Sequence, residues 1–173
     1  MHMVQSEKKK KWHKRTTFLL IFLTVFAFFG YTWEKNAPAR SVKIVVEQEL
    51  NEWLQTASED DEKSLHNVAG IEWDWVCAPN HYSSGMKSMR RHFKDKKIKF
   101  SAFSVADETL LDAEFGLTFI SLDKKILVTI PVDCCIDFTR LGRHKGCVEG
   151  TYAGLVRVAG AKSTVSLIRN VEE

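Results

Sequence analysis

The chain has 173 residues, enough for one folded domain beside a membrane segment, and its charge is unevenly distributed. Residues 1–33 carry six Lys or Arg and one Glu, a net charge of +5, whereas the other 140 carry 19 basic and 21 acidic side chains, a net charge of −2. The overall charge of +3 therefore comes from the first segment, and the composition of the remainder excludes a basic nucleic-acid-binding domain.

The segment 16–33, TTFLLIFLTVFAFFGYTW, contains no charged residue. As a helix it would span about 27 Å, close to the roughly 30 Å of a bilayer's hydrocarbon core. Trp12, Tyr31 and Trp33 suit the two membrane interfaces. Basic residues concentrate before the segment, which predicts that residues 1–15 are a cytoplasmic tail and that residues from 34 onward lie across the membrane.

A cleaved secretory signal is the competing interpretation of this segment. A basic start, the apolar run 18–29 and the small residues Ala37 and Ala39 satisfy that pattern too. Ala39 lies far from the apolar run and residues 30–33 extend it, so we favour a retained anchor. No cysteine precedes Cys77, which excludes a lipoprotein signal. We expect a single-pass inner-membrane protein with a periplasmic carboxyl-terminal part.

After the apolar segment, residues 34–40 are predicted to form a linker broken by Pro38. Ser41 is expected to cap the next helix. Apolar residues recur in that helix at steps of three and four: Val42, Val45, Val46, Leu50, Trp53, Leu54 and Ala57. This spacing predicts an amphipathic helix that packs on the core of a domain spanning 41–173.

The rest of the chain predicts one strand, a second helix and then mostly strands. The segment 71–77, IEWDWVC, alternates in a way that indicates a strand with one aromatic face. Ser83 or Ser84 is expected to cap the second helix. Residues 115–122 and 126–132 form a hairpin pattern. The predicted fold class is α+β, with the amphipathic helix packed on an antiparallel β-meander.

Four cysteines lie in the exported part: Cys77, Cys134, Cys135 and Cys147. An oxidising compartment favours disulfides among them. We favour a Cys77–Cys147 bond, with Cys134 and Cys135 bonded to each other, reduced or joined to a partner chain. The alternative is that Cys77 and Cys147 each take one member of the vicinal pair.

Two motifs suggest other chemistry. Cys77 and His81, with His144 and Cys147, have a spacing that a mixed zinc site tolerates, but the expected compartment favours the disulfide. Ser84-Gly85-Met86-Lys87 has the Ser-x-x-Lys spacing of penicillin-binding enzymes, yet the companion Ser-Asp-Asn motif is missing. We therefore expect no enzyme activity, no metal and no cofactor.

The strand Trp73-Asp74-Trp75-Val76-Cys77, followed by Pro79 and Tyr82, resembles that of a loose group of small bacterial envelope proteins, many of them lipoproteins. Leu117-Thr118-Phe119, Asp137-Phe138 and Cys147 follow in the order found in that group. The likeness covers roughly 71–158, with Asn80-His81 inserted and Cys134-Cys135 extra. It implies an exported α+β domain and supports the Cys77–Cys147 pairing, and it implies no activity.

A basic run between Lys87 and Lys99 is the remaining candidate site. Lys87, Arg90, Arg91 and Lys94 are expected to form a patch that meets anionic phospholipid, an acidic envelope polymer or an acidic protein, unless it is only a solvated helix face. We expect a non-enzymatic binding or structural subunit of a cell-envelope complex, with a protein partner and without nucleic acid. An immunity or inhibitor protein against a toxin that acts near the membrane is the alternative.

Overall fold

The computed structural model describes residues 3–78, 85–94, 98–107, 115–132, 135–137, 146–157 and 164–169. The chain divides into two compact units, Met1–Ala37 and Pro38–Glu173. The elements in chain order are α1 (Met3–Thr56), β1 (Glu62–Ser64), β2 (Trp75–Cys77), α2 (Gly85–His92), β3 (Ser104–Ala106), β4 (Phe115–Ser121), β5 (Ile126–Val132), β6 (Cys135–Asp137), β7 (Cys147–Glu149), β8 (Ala153–Arg157) and β9 (Thr164–Arg169). The predicted α+β class is confirmed.

The apolar segment 16–33 is helical, as predicted, and lies within α1. It is long and apolar enough to cross a membrane, and its most apolar stretch of 18 residues has no residue buried inside the structure. Two of its threonines bond within the helix: the Thr24 hydroxyl donates to the carbonyls of Leu20 and Ile21, and the Thr32 hydroxyl donates to that of Phe29. These hydroxyls therefore need no partner from outside the helix.

Residues 34–40, predicted as a linker, are helical, so Ser41 does not begin a helix. Pro38 carries no N–H and removes one helical hydrogen bond, which usually interrupts a helix. A tertiary contact supports the helix at this point, because the N–H of buried Ala39 donates to Ser104 Oγ at 3.1 Å. The predicted break at Pro38 is wrong, because a side chain of β3 accepts a hydrogen bond from the helix next to the proline.

The predicted amphipathic stripe is confirmed in the last third of α1. Ala39, Val46 and Leu50 are buried in the larger core, and the partly buried side chains that pack against it include Val42, Trp53 and Leu54. Val45 is an exception, since half of its side chain is exposed. The spacing of three and four residues thus identifies the buried face except at Val45 and at Ala57, which follows the last residue of α1.

The strands form two mixed sheets, and the predicted antiparallel meander is wrong. The five-stranded sheet has the order β3-β5-β4-β2-β7, and the four-stranded sheet has the order β1-β8-β9-β6. Pairs β3·β5 and β6·β9 are parallel. The hairpin β4–β5 is confirmed with Thr118 opposite Thr129. A meander fails because β2, which precedes α2, inserts between β4 and β7.

The position of β2 follows from its composition. Val76 points to the larger core, which also holds residues of α1, whereas Trp75 and Cys77 belong to a second apolar cluster with Met89 and Phe93 of the α2 region. A strand that is apolar on both faces is stable where both faces are covered. Between β4 and β7, with an apolar cluster on each face, this condition is met.

The predicted single aromatic face of 71–77 is also wrong. Trp73 lies in the larger core, where its ring contacts Phe119 at 5.3 Å, while Trp75 lies in the second cluster. A bend at Asp74 separates them, because its N–H donates to the Ile120 carbonyl and its own carbonyl accepts from Gly150. Regular alternation requires an unbroken strand, and the strand begins only at Trp75.

Two polar contacts join α1 to the four-stranded sheet. Glu49 accepts from Lys63 of β1 at 2.7 Å and from the Ala69 N–H at 2.8 Å. Partial burial raises the pKa of Glu49, but the two hydrogen bonds and the Lys63 charge outweigh it, so that the pKa lies below its ordinary value. Arg157 of β8 donates to the Leu54 and Ala57 carbonyls, which are among those that helix ends leave without intrahelical partners.

Candidate functional site

The predicted basic patch lies on and just after α2, and we call the exposed side chains of Lys87, Arg90 and Lys94 the basic face. Lys87 and Arg90 are three residues apart and therefore lie on one side of α2, and Lys94 follows two residues after the helix ends. Met89 and Phe93 are buried on another side. The side chain of Arg91 lies outside the described residues. Three of the four predicted residues are therefore together at the surface.

A carboxylate from a distant element supports the amino end of α2. Asp107 Oδ2 accepts a hydrogen bond from the Met86 N–H at 3.2 Å, and a negative charge at this end suits the helix dipole. Ser83 and Ser84, the predicted caps, lie outside the described residues. No local pattern signals Asp107, because it follows Met86 by 21 positions.

Aromatic packing supports the other side of α2. The Phe93 ring meets Trp75 at 5.1 Å and 73°, and it meets His92 at 4.6 Å and 85°. Phe100 and Phe103 extend the cluster. Edge-to-face contacts of this kind restrict ring orientation, so the helix presents its cations from a packed base.

Arg90 and Lys94 form no ion pair with any described residue, since the pairs in this part of the chain are Lys43–Glu47, Lys63–Glu49 and Lys124–Asp123. Lys99 is also exposed, a short distance further along the chain. The basic face therefore carries positive charge that the described part of the fold does not neutralise at Arg90 or Lys94, and it can attract an anionic surface.

The favoured disulfide is confirmed: Cys77 and Cys147 are bonded, with their Cα atoms 3.9 Å apart. They are direct partners across the antiparallel pair β2·β7, and both are buried. Cys134 lies outside the described residues, and for Cys135 only the backbone, in β6, is described.

The predicted zinc alternative is contradicted at its sulfur ligands. A bonded pair of sulfurs offers no thiolate, and zinc binds cysteine as thiolate. His81 and His144 lie outside the described residues, as does Ser84 of the Ser-x-x-Lys motif. Among the residues that the structure describes, no group of three or more His, Cys, Asp or Glu side chains is placed to hold a metal ion.

An open polar cleft of about 520 Å³ is a site that sequence reasoning missed. Its wall contains a histidine, an amide, carboxylates and a hydroxyl, contributed by His66, Asn67, Glu72, Asp74, Asp123 and Thr151. His66 Nδ1 is buried and has no hydrogen-bond partner within the described ranges. These polar groups give the cleft several hydrogen-bonding side chains.

Asp74 assembles the cleft from three segments that are distant in sequence. Its carboxylate accepts from the Leu122 N–H at 2.7 Å, its N–H donates to Ile120, and its carbonyl accepts from Gly150. The turn after β4 and the turn after β7 are thereby held beside residues 66–74. Because the lining residues share no local pattern, no sequence motif could have identified them.

Searches of protein families, curated proteins and solved structures found no match to this chain. The resemblance to small envelope proteins rests on its short motifs alone.

Proposed function

We propose that this chain is a single-pass membrane protein of the cell envelope whose folded unit binds a protein partner in the periplasm. The observation that carries the proposal is the exposure of the apolar segment. Twelve large apolar or aromatic side chains between Phe18 and Trp33 are each 46–73 % exposed. Contiguous apolar surface of this extent requires a lipid or protein environment.

The free energy involved is large for a protein of this size. Burial of one large apolar side chain contributes about 1.5–3 kcal/mol, so the twelve at roughly half exposure leave on the order of 10 kcal/mol unrealised in water. That is comparable to the whole stability of a typical domain, about 5–15 kcal/mol. A bilayer removes this penalty, and the internally bonded Thr24 and Thr32 hydroxyls suit a medium without water.

Two further features support the direction of insertion. The basic residues precede the segment, which favours a cytoplasmic amino terminus. The buried Cys77–Cys147 bond suits an oxidising compartment such as the periplasm for the folded unit.

The polar cleft at Asp74 supports a binding role, because it is open and contains hydrogen-bonding groups from several elements.

Extraction and topology test the anchor directly. The full chain should remain in the membrane fraction at alkaline pH. Alkaline phosphatase fused to its carboxyl end should be active, whereas a fluorescent protein that folds only in the cytosol, fused at the same place, should stay dark. The double variant Leu23→Arg/Phe26→Arg should be released, because each Arg at a bilayer centre costs about 2.5–3.5 kcal/mol. Val45→Arg, at a comparably exposed position outside the segment, is the matched control. Release of the unsubstituted chain from membranes at alkaline pH would refute the anchor.

Crosslinking in cells tests the binding role. A photoreactive residue at Asn67, in the cleft wall, should trap a defined envelope protein, whereas the same residue at exposed Gln48 should not. Equal trapping from both positions, or none from Asn67, would contradict a partner at the cleft.

A further inference from the structure

We infer that the basic face of α2 docks on the anionic phospholipid headgroups of the membrane that holds the anchor. The inference rests on the proposed membrane anchor, and it names the ligand class of a surface for which the sequence left lipid, polymer and protein open. Three steps carry it: the length of the tether, the distribution of charge and the way in which α2 is held.

The tether keeps the folded unit at the bilayer. The apolar segment ends at Trp33 and the compact unit begins at Pro38, five residues later. Even fully extended, five residues reach about 17 Å. A unit of this size has a radius of gyration of about 14 Å, so some part of its surface always lies near the headgroups. Short tethers also keep the local concentration of a binding surface high.

Charge distinguishes the basic face from the rest of the surface of the folded unit. Residues 34–173 carry a net charge of −2, so an average surface of the unit is repelled by anionic lipid. The exposed Lys87, Arg90 and Lys94 are an exception to that average, and exposed Lys99 adds to them. Each Lys or Arg near an anionic surface contributes about fivefold to a binding equilibrium. Arg90 and Lys94, which form no ion pair with a described residue, together contribute on the order of 25-fold.

The fold holds the basic face ready for a flat anionic surface. Buried Met89 and Phe93 attach α2 to the second apolar cluster, and Asp107 holds its first turn. The cations therefore project from a packed helix and lose less conformational freedom on docking than they would from a mobile segment. A lipid surface is always within reach of the tether, whereas an acidic protein must diffuse to the site, so we choose lipid as the occupant.

Hydrogen exchange of the full chain in nanodiscs tests the inference. One set of nanodiscs contains phosphatidylcholine alone, and in the other a third of the lipid is phosphatidylglycerol. Amide exchange in residues 85–94 should slow at least about tenfold in the anionic discs, within the roughly 25-fold that Arg90 and Lys94 supply. The difference should disappear at 1 M salt, where the screening length falls to about 3 Å.

Charge variants give the decisive comparison. Lys87→Glu/Arg90→Glu/Lys94→Glu should abolish the slowing, and Lys124→Glu, at an exposed position in the turn after β4, should leave it intact. The reversal variant must keep the Cys77–Cys147 bond and slow exchange in β4 and β5. If it does not, Arg90→Gln replaces it, and protection should then fall about fivefold. Unchanged protection in a folded variant would overturn the inference.

The remaining outcomes separate this inference from the proposed function. A chain that does not comigrate with nanodiscs refutes the anchor. A chain that comigrates but exchanges equally in both lipids refutes docking while the anchor stands. Protection of α2 in native membrane vesicles, without protection in anionic nanodiscs, would assign the basic face to an acidic protein partner and would also refute docking on lipid.

Discussion

Removal of the Cys77–Cys147 bond is the perturbation whose cost the structure specifies best. The two cysteines are 70 positions apart, and they join β2 to the edge strand β7. In the chain-entropy description, a loop of this length restricts the unfolded chain by about 4 kcal/mol. Since typical domains are stable by about 5–15 kcal/mol, the variant Cys77→Ala/Cys147→Ala should lose a large share of its stability.

The assay is urea unfolding of the full chain in detergent micelles, followed by tryptophan fluorescence. Trp73 is 1 % exposed and packs on Phe119, so its emission should shift when the larger core opens. We expect the free energy of unfolding to fall by about 4 kcal/mol and the melting temperature by roughly 12–20 °C for a unit of this size. Reduced wild-type protein is the control, because it loses the bond but keeps both sulfur atoms.

The comparison of the two samples separates the contributions. If the free energy of unfolding falls equally in the reduced protein and in the variant, the bond itself provides the lost stability. If the free energy of unfolding falls further in the variant than in the reduced protein, the additional loss comes from the packing of the two sulfur atoms, which are buried with Met89 and Phe93. A loss of less than about 1 kcal/mol in both samples would refute the chain-entropy reasoning and would show that the sheet holds β7 without the bond.

Three further perturbations test contacts on which the fold depends. Arg157→Ala removes two hydrogen bonds to carbonyls at the end of α1 and should cost about 1–3 kcal/mol in urea unfolding, with partial recovery in Arg157→Lys. Gly150→Ala places a Cβ inside the backbone carbonyl of Trp73 and should cost about 3 kcal/mol or more, whereas Gly30→Ala, a helical position that meets nothing within 4 Å, should not lower stability. Glu49, with its lowered pKa, should stabilise the fold above pH of about 4.3 and lose that contribution as the pH falls through its folded-state pKa. Glu49→Gln should reduce the change in the free energy of unfolding with pH by less than about 1 kcal/mol, because the Glu49 side chain is 36 % exposed. An identical pH profile in both proteins would contradict a stabilising role for the Glu49 carboxylate.

Features with a local physical cause were predictable from the sequence. The apolar segment 16–33, the stripe that includes Val46 and Leu50, and the hairpin β4–β5 each depend on spacing within one stretch of chain. The Cys77–Cys147 bond was favoured among pairings that remained open, and the structure selects it. In these cases, short-range periodicity or covalent chemistry limits the alternatives.

Features that depend on contacts between distant segments were not predictable. The alternation around Trp73 and Trp75 indicates one continuous strand, but the Asp74 N–H donates to the Ile120 carbonyl and the Gly150 N–H donates to the Asp74 carbonyl, and these bonds bend the chain between the two rings. Likewise, the cleft requires three segments to meet, and the order of the sheet depends on where β2 can cover both of its apolar faces. None of these contacts has a signature in the neighbouring sequence.

The helix contacts show why local signals failed here in particular. The Ala39 N–H bonds Ser104, the Met86 N–H bonds Asp107, and the carbonyls at the end of α1 bond Arg157, with partners 65, 21 and about 100 positions away. A helix whose backbone groups depend on remote side chains is completed only when the sheet forms. The presentation of the basic face is then a property of the assembled fold, since the carboxylate that holds the first turn of α2 comes from beyond β3. Asp107→Ala should therefore weaken lipid docking without removing a single cation, a result that a purely electrostatic account of residues 87–94 does not predict.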